Sequence, residues 1–183
     1  GVDKTHFSPD STLTRAQAVV MLCRYEDKFV SGGTETKPST EIPTKPDGTT
    51  KTYTGDKLKD RFAYEATGVL GSYFEVNVPA GQKIYFQVLD GSGTPIFVDI
   101  KDGNGLYNHT TDIGFIGSND ESYTVGVEGY KTGTMVVSLF KSDEPNGTLS
   151  TVVIHVGGST CSVAITTPSG TSTNPGGNET GNQ

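Results

Sequence analysis

Three histidines, His6, His109 and His155, are the side chains best suited to move a proton near neutral pH. An acyl-transfer site would set one of them beside a nucleophile and an orienting carboxylate. None lies in a nucleophile-elbow or protease-like sequence. His155 stands in Val153-Ile154-His155-Val156 and is expected on the exposed or rim face of a strand. His109 stands in a polar loop, where solvation is the simplest reading. Glycoside hydrolysis needs two carboxylates flanking a sugar. The acidic pairs Asp120-Glu121 and Asp143-Glu144 fall where turns are expected, as solubilising residues. No phosphate-binding loop or dinucleotide fingerprint is present. The chain is therefore expected to be non-enzymatic and to carry no cofactor.

Binding chemistry has better material. Asp99-Ile100-Lys101-Asp102-Gly103-Asn104-Gly105 clusters the oxygen donors that calcium prefers. It lacks the spaced loop and closing glutamate of a dedicated calcium site, and Asp-Gly and Asn-Gly are ordinary hairpin turns. No metal ligand is assigned. Sugars stack on flat aromatic faces beside polar groups. Eight tyrosines are available, and Tyr107 and Tyr130 lie next to glycine-rich turns where an exposed ring is expected. Both are candidate carbohydrate-binding residues. The competing reading is that a strand tyrosine packs its ring inward and wets its hydroxyl. Cys23 and Cys161 are far apart in sequence and are expected to be buried as small hydrophobes. Asn108, Asn146 and Asn178 each open an Asn-x-Thr triplet, read here as polar loops.

The 183 residues carry a formal charge of −7, only 32% hydrophobic residues, 24 glycines and no tryptophan. So little apolar material means that the whole chain does not pack into one core. Acidity argues against a nucleic-acid backbone as partner, which would need clustered Lys and Arg. No apolar run approaches the roughly 18 residues of a membrane span. Two cysteines and three histidines do not make a zinc cluster.

Four zones follow from composition. Residues 1–29 hold one helical pattern: Ala16, Val19, Val20 and Cys23 recur on one face, and Thr14 with Gln17 forms a capping box. Residues 30–52 are rich in Thr, Pro, Lys and Glu and read as a solvated linker. Residues 53–167 alternate apolar and polar positions between turn signals. Nine strands are expected, at 61–67, 72–78, 83–89, 95–101, 112–116, 122–128, 134–140, 151–156 and 161–166, with a helical turn near Leu58-Lys59-Asp60. Nine short strands at roughly ten-residue spacing predict a mainly β fold, an antiparallel β-sandwich of jelly-roll or immunoglobulin-like type. Residues 168–183 contain no aliphatic or aromatic side chain and are expected to be a disordered polar tail.

At the first zone, Phe7-Ser8-Pro9-Asp10, then Thr14-Arg15-Ala16-Gln17, then Leu22-Cys23-Arg24, the chain resembles the second half of an S-layer homology (SLH) repeat. The resemblance implies a bacterial surface protein, extracellular and held on cell-wall polysaccharide, with Arg15 inheriting a glycan-binding role. The first half of such a repeat does not precede these residues, so the chain is expected to be a piece of a larger protein. Residues 72–140 are loosely similar to bacterial pre-peptidase C-terminal domains, through Val78-Pro79-Ala80-Gly81 and Val127-Glu128-Gly129-Tyr130. That likeness implies an accessory or binding module. The expectation is a cell-surface module for display, spacing or recognition of a glycan or protein, with no nucleic-acid partner and no membrane insertion. The alternative is a carbohydrate-binding accessory module of a secreted or surface enzyme, which requires a row of exposed tyrosines on one sheet face or loop rim.

Overall fold

The computed structural model describes residues 41–101 and 107–170. They belong to the unit Thr40–Gln183. The expected N-terminal helix, with Arg15 and Cys23, lies outside the described residues, as does most of the polar tail.

Eleven strands run through the described residues. They are β1 (Gly48–Thr54), β2 (Thr67–Val69), β3 (Tyr73–Val78), β4 (Lys83–Leu89), β5 (Val98–Lys101), β6 (Asn108–Thr110), β7 (Gly114–Asn119), β8 (Thr124–Gly129), β9 (Gly133–Lys141), β10 (Ser150–Val156) and β11 (Ser162–Pro168). Six of them form one sheet in the order β1-β11-β3-β10-β9-β5, and five form a second in the order β2-β4-β8-β7-β6. The fold is mainly β, and both sheets are mixed.

Period-two patterning explains which face each strand buries. Phe74, Val76 and Val78 of β3 and Ile84, Phe86 and Val88 of β4 are all fully buried. They join Ile116, Val125, Val127, Leu139, Ile154 and Val163 in one hydrophobic cluster fed by both sheets. Phe74 and Phe86 stack across it with ring centroids 5.0 Å apart. Burying such a side chain contributes about 1.5–3 kcal/mol. The link between β3 and β4 is a tight turn: the Gln82 N–H donates to the Pro79 carbonyl at 3.2 Å. Gly81 takes the left-handed φ of 79° that this turn requires.

Several expectations need correction. The sheets are not wholly antiparallel, because β3 runs parallel to β10 and β2 parallel to β4. The second pairing follows from connectivity: β3 crosses to the other sheet between β2 and β4, so its two sequence neighbours point the same way. Residues 48–52, read as linker, belong to β1, which pairs with β11 from Gly48↔Pro168 to Thr54↔Ser162. Its sequence, GTTKTYT, is almost entirely exposed. An edge strand needs little apolar material, so no hydrophobic alternation marks it. Residues 61–67 are not one strand. The Asp60 side chain accepts the Phe62 N–H at 2.9 Å and turns the chain, so pairing starts only at Thr67. Strand β6 falls where a polar loop was expected. Its partner β7 begins at Gly114 because the Thr111 hydroxyl accepts the N–H groups of Ile113 and Gly114, folding a corner there. The helical turn near Leu58 is a 3₁₀ turn over Asp56–Lys59, with Leu58 buried.

Candidate functional site

Tyr107 and Tyr130 are both exposed, at 47% and 46%, but the fold keeps them apart. The Tyr107 carbonyl accepts from the N–H of Ser118, at one end of β7, while the Tyr130 N–H donates to Ile113, just before the other end. Five residues of strand separate those contacts, about 17 Å. The two rings do not share a site.

Tyr107 does have company. The outer face of the five-stranded sheet carries Lys83, Tyr85 and Gln87 on β4, Thr124, Gly126 and Glu128 on β8, Phe115, Gly117 and Asn119 on β7, and Asn108 on β6. One row across the strands runs Tyr85↔Gly126↔Gly117↔Asn108. Two adjacent glycines leave a trough in this row, and aromatic rings lie over it. A methyl group at Gly117 would meet Phe115 Cζ at 2.5 Å, and one at Gly126 would meet Tyr85 Cε1 at 2.9 Å. The missing side chains are what let the rings come this close to the strands. Two adjoining depressions, of about 70 and 230 Å³, share Tyr85, Phe115 and Gly126 as lining. The larger is closed at its far end by Tyr107, Asn108, Asn119 and Arg61.

The rim is built from three connecting segments. The Arg61 guanidinium lies over the Phe62 ring, 4.6 Å from its centroid. Tyr107 packs against Phe97 with centroids 5.2 Å apart. In the β7–β8 turn, Asn119 Oδ1 accepts both the N–H and the hydroxyl of Ser122, and the Gln87 amide donates to the Ser122 carbonyl. Tyr123, next in that turn, is exposed and holds a left-handed φ of 49°, the one non-glycine residue to do so among the described residues. Flat rings flanked by amide and hydroxyl groups can stack on the C–H face of a sugar and hydrogen-bond its hydroxyls.

The remaining candidates carry less. His155 is on the outer face of the six-stranded sheet, as expected. Its Nε2 lies 3.5 Å from Glu75 Oε1 and its Nδ1 3.2 Å from Thr134 Oγ1. Carboxylate, imidazole and hydroxyl thus stand in line, but His155 and Glu75 are each about a third exposed on an open sheet. Acyl transfer needs a cavity and converging oxyanion donors beside such a relay. His109 sits in β6 rather than a loop, half-buried, with Nδ1 buried and unpartnered. Asp99 is buried on β5 with Oδ1 unpartnered, Asp112 pairs with Lys131 at 3.7 Å, and residues 102–105 of the oxygen-rich run lie outside the described residues. Among the described residues no three His, Cys, Asp or Glu side chains gather as metal ligands.

Cys161 is buried beside a hydroxyl-rich groove of about 610 Å³ that includes Thr52, Thr54, Ser159 and Gln82. Its thiol donates to Gln82 Oε1 at 3.4 Å. Burial pushes its pKa up, with Asp56 adding to that and Lys59 opposing it. A thiol held protonated is no nucleophile.

Sequence reasoning missed Tyr85, Phe115 and Arg61. One signal was present: glycine inside a strand marks a close approach, and both Gly117 and Gly126 interrupt strands that also carry aromatic residues. No protein-family model and no curated protein matches the chain. Among the described residues no helix is long and apolar enough to cross a membrane.

Proposed function

We propose that the chain is a non-catalytic recognition module of a bacterial cell-surface protein, a β-sandwich that binds a polysaccharide on the outer face of its five-stranded sheet. The observation that carries this reading is the cross-strand pair Gly117–Gly126 with the Phe115 and Tyr85 rings laid over it. The extracellular, wall-associated setting rests on the SLH-like residues Phe7–Asp10 and Thr14–Gln17, through which the parent protein is held on wall polysaccharide.

Recognition is favoured over spacing by how the chain passes through. It enters the sandwich at Gly48 and leaves at Pro168, which are register partners. Antiparallel partners stand about 4.5–5.5 Å apart. A module whose ends touch adds almost nothing to the length of the protein that carries it.

The test is co-sedimentation of the full chain with purified Gram-positive cell walls that retain their secondary polysaccharide. Binding lost in Tyr85→Ala and Phe115→Ala but kept in Arg15→Ala places recognition on the sheet face. Loss confined to Arg15→Ala assigns it to the SLH-like segment. Failure of the parent chain to bind either walls or an array of purified glycans ends the polysaccharide reading.

A further inference from the structure

Resting on the polysaccharide reading, we infer that this face is selective for an acidic sugar, a uronate, whose carboxylate is taken by Arg61. Three charged side chains line the joined depressions: Lys83, Glu128 and Arg61. Lys83 and Glu128 cancel each other across the β4–β8 pair at 3.3 Å. Arg61 has no carboxylate within ion-pair distance among the described residues, whereas Lys57, Lys59, Lys131 and Lys141 all have one. Of the charged side chains lining the trough, Arg61 is therefore the one without an ion-pair partner among the described residues, on a chain whose formal charge is −7.

Local geometry keeps that charge available. The adjacent carboxylate, Asp60, accepts the Phe62 N–H and makes no ion pair with Arg61. The exposed Phe62 ring holds the guanidinium carbon 4.6 Å from its centroid, a cation–π contact that uses none of the N–H donors. Asp120 and Glu121 lie in the β7–β8 turn at the same end. They repel a highly charged ligand more than a singly charged one. A planar carboxylate matches the guanidinium fork through two parallel hydrogen bonds. One cation balances one uronate, while a phosphate monoester carries about −1.5 to −2 and needs more. The inferred geometry is a sugar ring on Phe115 and Tyr85 with the carboxylate of the same or the next residue turned towards Arg61.

The test compares three probes on the full chain by calorimetry and affinity electrophoresis: oligogalacturonate, the same oligomer fully methyl-esterified, and a sulfated galactan. Esterification removes the charge and keeps the stereochemistry. The expected result is tightest binding to oligogalacturonate, weakened roughly tenfold by esterification and by Arg61→Gln, the size of one charge-assisted contact at an exposed site. Arg61→Gln should weaken binding to the acid more than binding to the ester and should weaken the salt dependence. Arg61 is exposed, so the substitution leaves folding intact, and a melting curve checks this. Equal binding of acid and ester, unaffected by Arg61→Gln, overturns the uronate inference and leaves sugar recognition standing. Preference for the sulfated galactan overturns the carboxylate assignment. No binding to any probe or to walls, in a folded protein, overturns the polysaccharide reading itself.

Discussion

Replacing Gly117 and Gly126 by alanine tests the aromatic platform without removing a single aromatic atom. At 117 the new methyl would stand 2.5 Å from Phe115 Cζ and 2.9 Å from Cε1. Carbon atoms settle at about 3.5–4.0 Å, so the ring must withdraw by roughly 1–1.5 Å. At 126 the methyl would stand 2.9 and 3.2 Å from Cε1 and Cδ1 of Tyr85, which asks for a smaller shift. Both rings are partly exposed and can swing into solvent. Neither glycine has a positive φ, so alanine fits the strand backbone. Lower entropy of the unfolded chain should stabilise each variant by about 0.4–1 kcal/mol, offset by the lost packing of ring on strand. The double variant should therefore melt within a few degrees of the parent. Its sugar affinity should fall roughly tenfold, because a gap of about 0.5–1 Å already forfeits a quarter to a half of each dispersion contact. Thermal melts and calorimetry on the same samples read both quantities, and near-UV circular dichroism reports that the rings have moved. Displaced rings with affinity unchanged within twofold would refute the platform argument.

Other outcomes follow from the same coordinates. Gly68→Ala places a methyl 2.6 Å from Ile165 Cγ2 and 2.7 Å from Phe74 Cζ, both in the packed core, so it should destabilise by about 1–3 kcal/mol, measured by urea titration. In a Cys23→Ser background, Cys161 should resist thiol reagents at neutral pH and react only on unfolding, since burial raises its pKa; fast native-state labelling would contradict its placement. Burial and the Glu75 charge likewise raise the Tyr73 pKa. Both groups ionise first in the unfolded chain, so stability should be full below about pH 9 and decline as pH rises through the usual values of 9.0 and 10.0. At the acid end the Asp90 carboxylate, held low by the Ser92 hydroxyl and then the Thr94 and Ser92 N–H groups, works the opposite way. Its contribution is present above the usual 3.8 and lost as pH falls through its depressed value, and Asp90→Asn should flatten that limb. Pulled from Gly48 and Pro168, the domain should open at low force by unzipping β1 from β11 pair by pair; a high, single-step rupture would contradict the register.

How much the sequence revealed depended on how much each strand buries. Strands β3, β4, β9 and β10 are half apolar, and their alternation marks them to within a residue or two. Strand β1 contributes only Tyr53 to the core, so its threonines resemble a linker until β11 is there to pair with it. The parallel pairings were invisible for a different reason. Alternation says which face a residue takes, but not which distant strand lies beside it. Tyr107 was correctly marked as exposed, yet the partners that make it useful come from β4, β7 and the segment before β2. Their meeting is a property of register. Tyr85 shows the ambiguity most sharply: Ile84, Tyr85 and Phe86 form one apolar run, and only the pairing Tyr85↔Gly126 shows that the middle ring points out.

The adjacency of Gly48 and Pro168 also bears on the proposed surface role. Close contact there is built in: a side chain at Gly48 would run into the Thr167 carbonyl, and the Ser169 N–H donates to the Asp47 carbonyl just beyond the strand pair. Two chain segments are thus clamped side by side where they meet the sandwich. Tension applied along the chain would load this clamp in the unzipping direction, where ladder hydrogen bonds break one at a time. A load-bearing spacer needs its terminal strands sheared, with all pairs resisting together. The aromatic platform lies on the other sheet, on β4, β7 and β8, none of which pairs with β1 or β11. Fraying at the clamp leaves the platform's own ladder untouched. On the proposed reading, a domain attached in this way would hang beside the polymer that carries it, and its useful surface would be the face it presents.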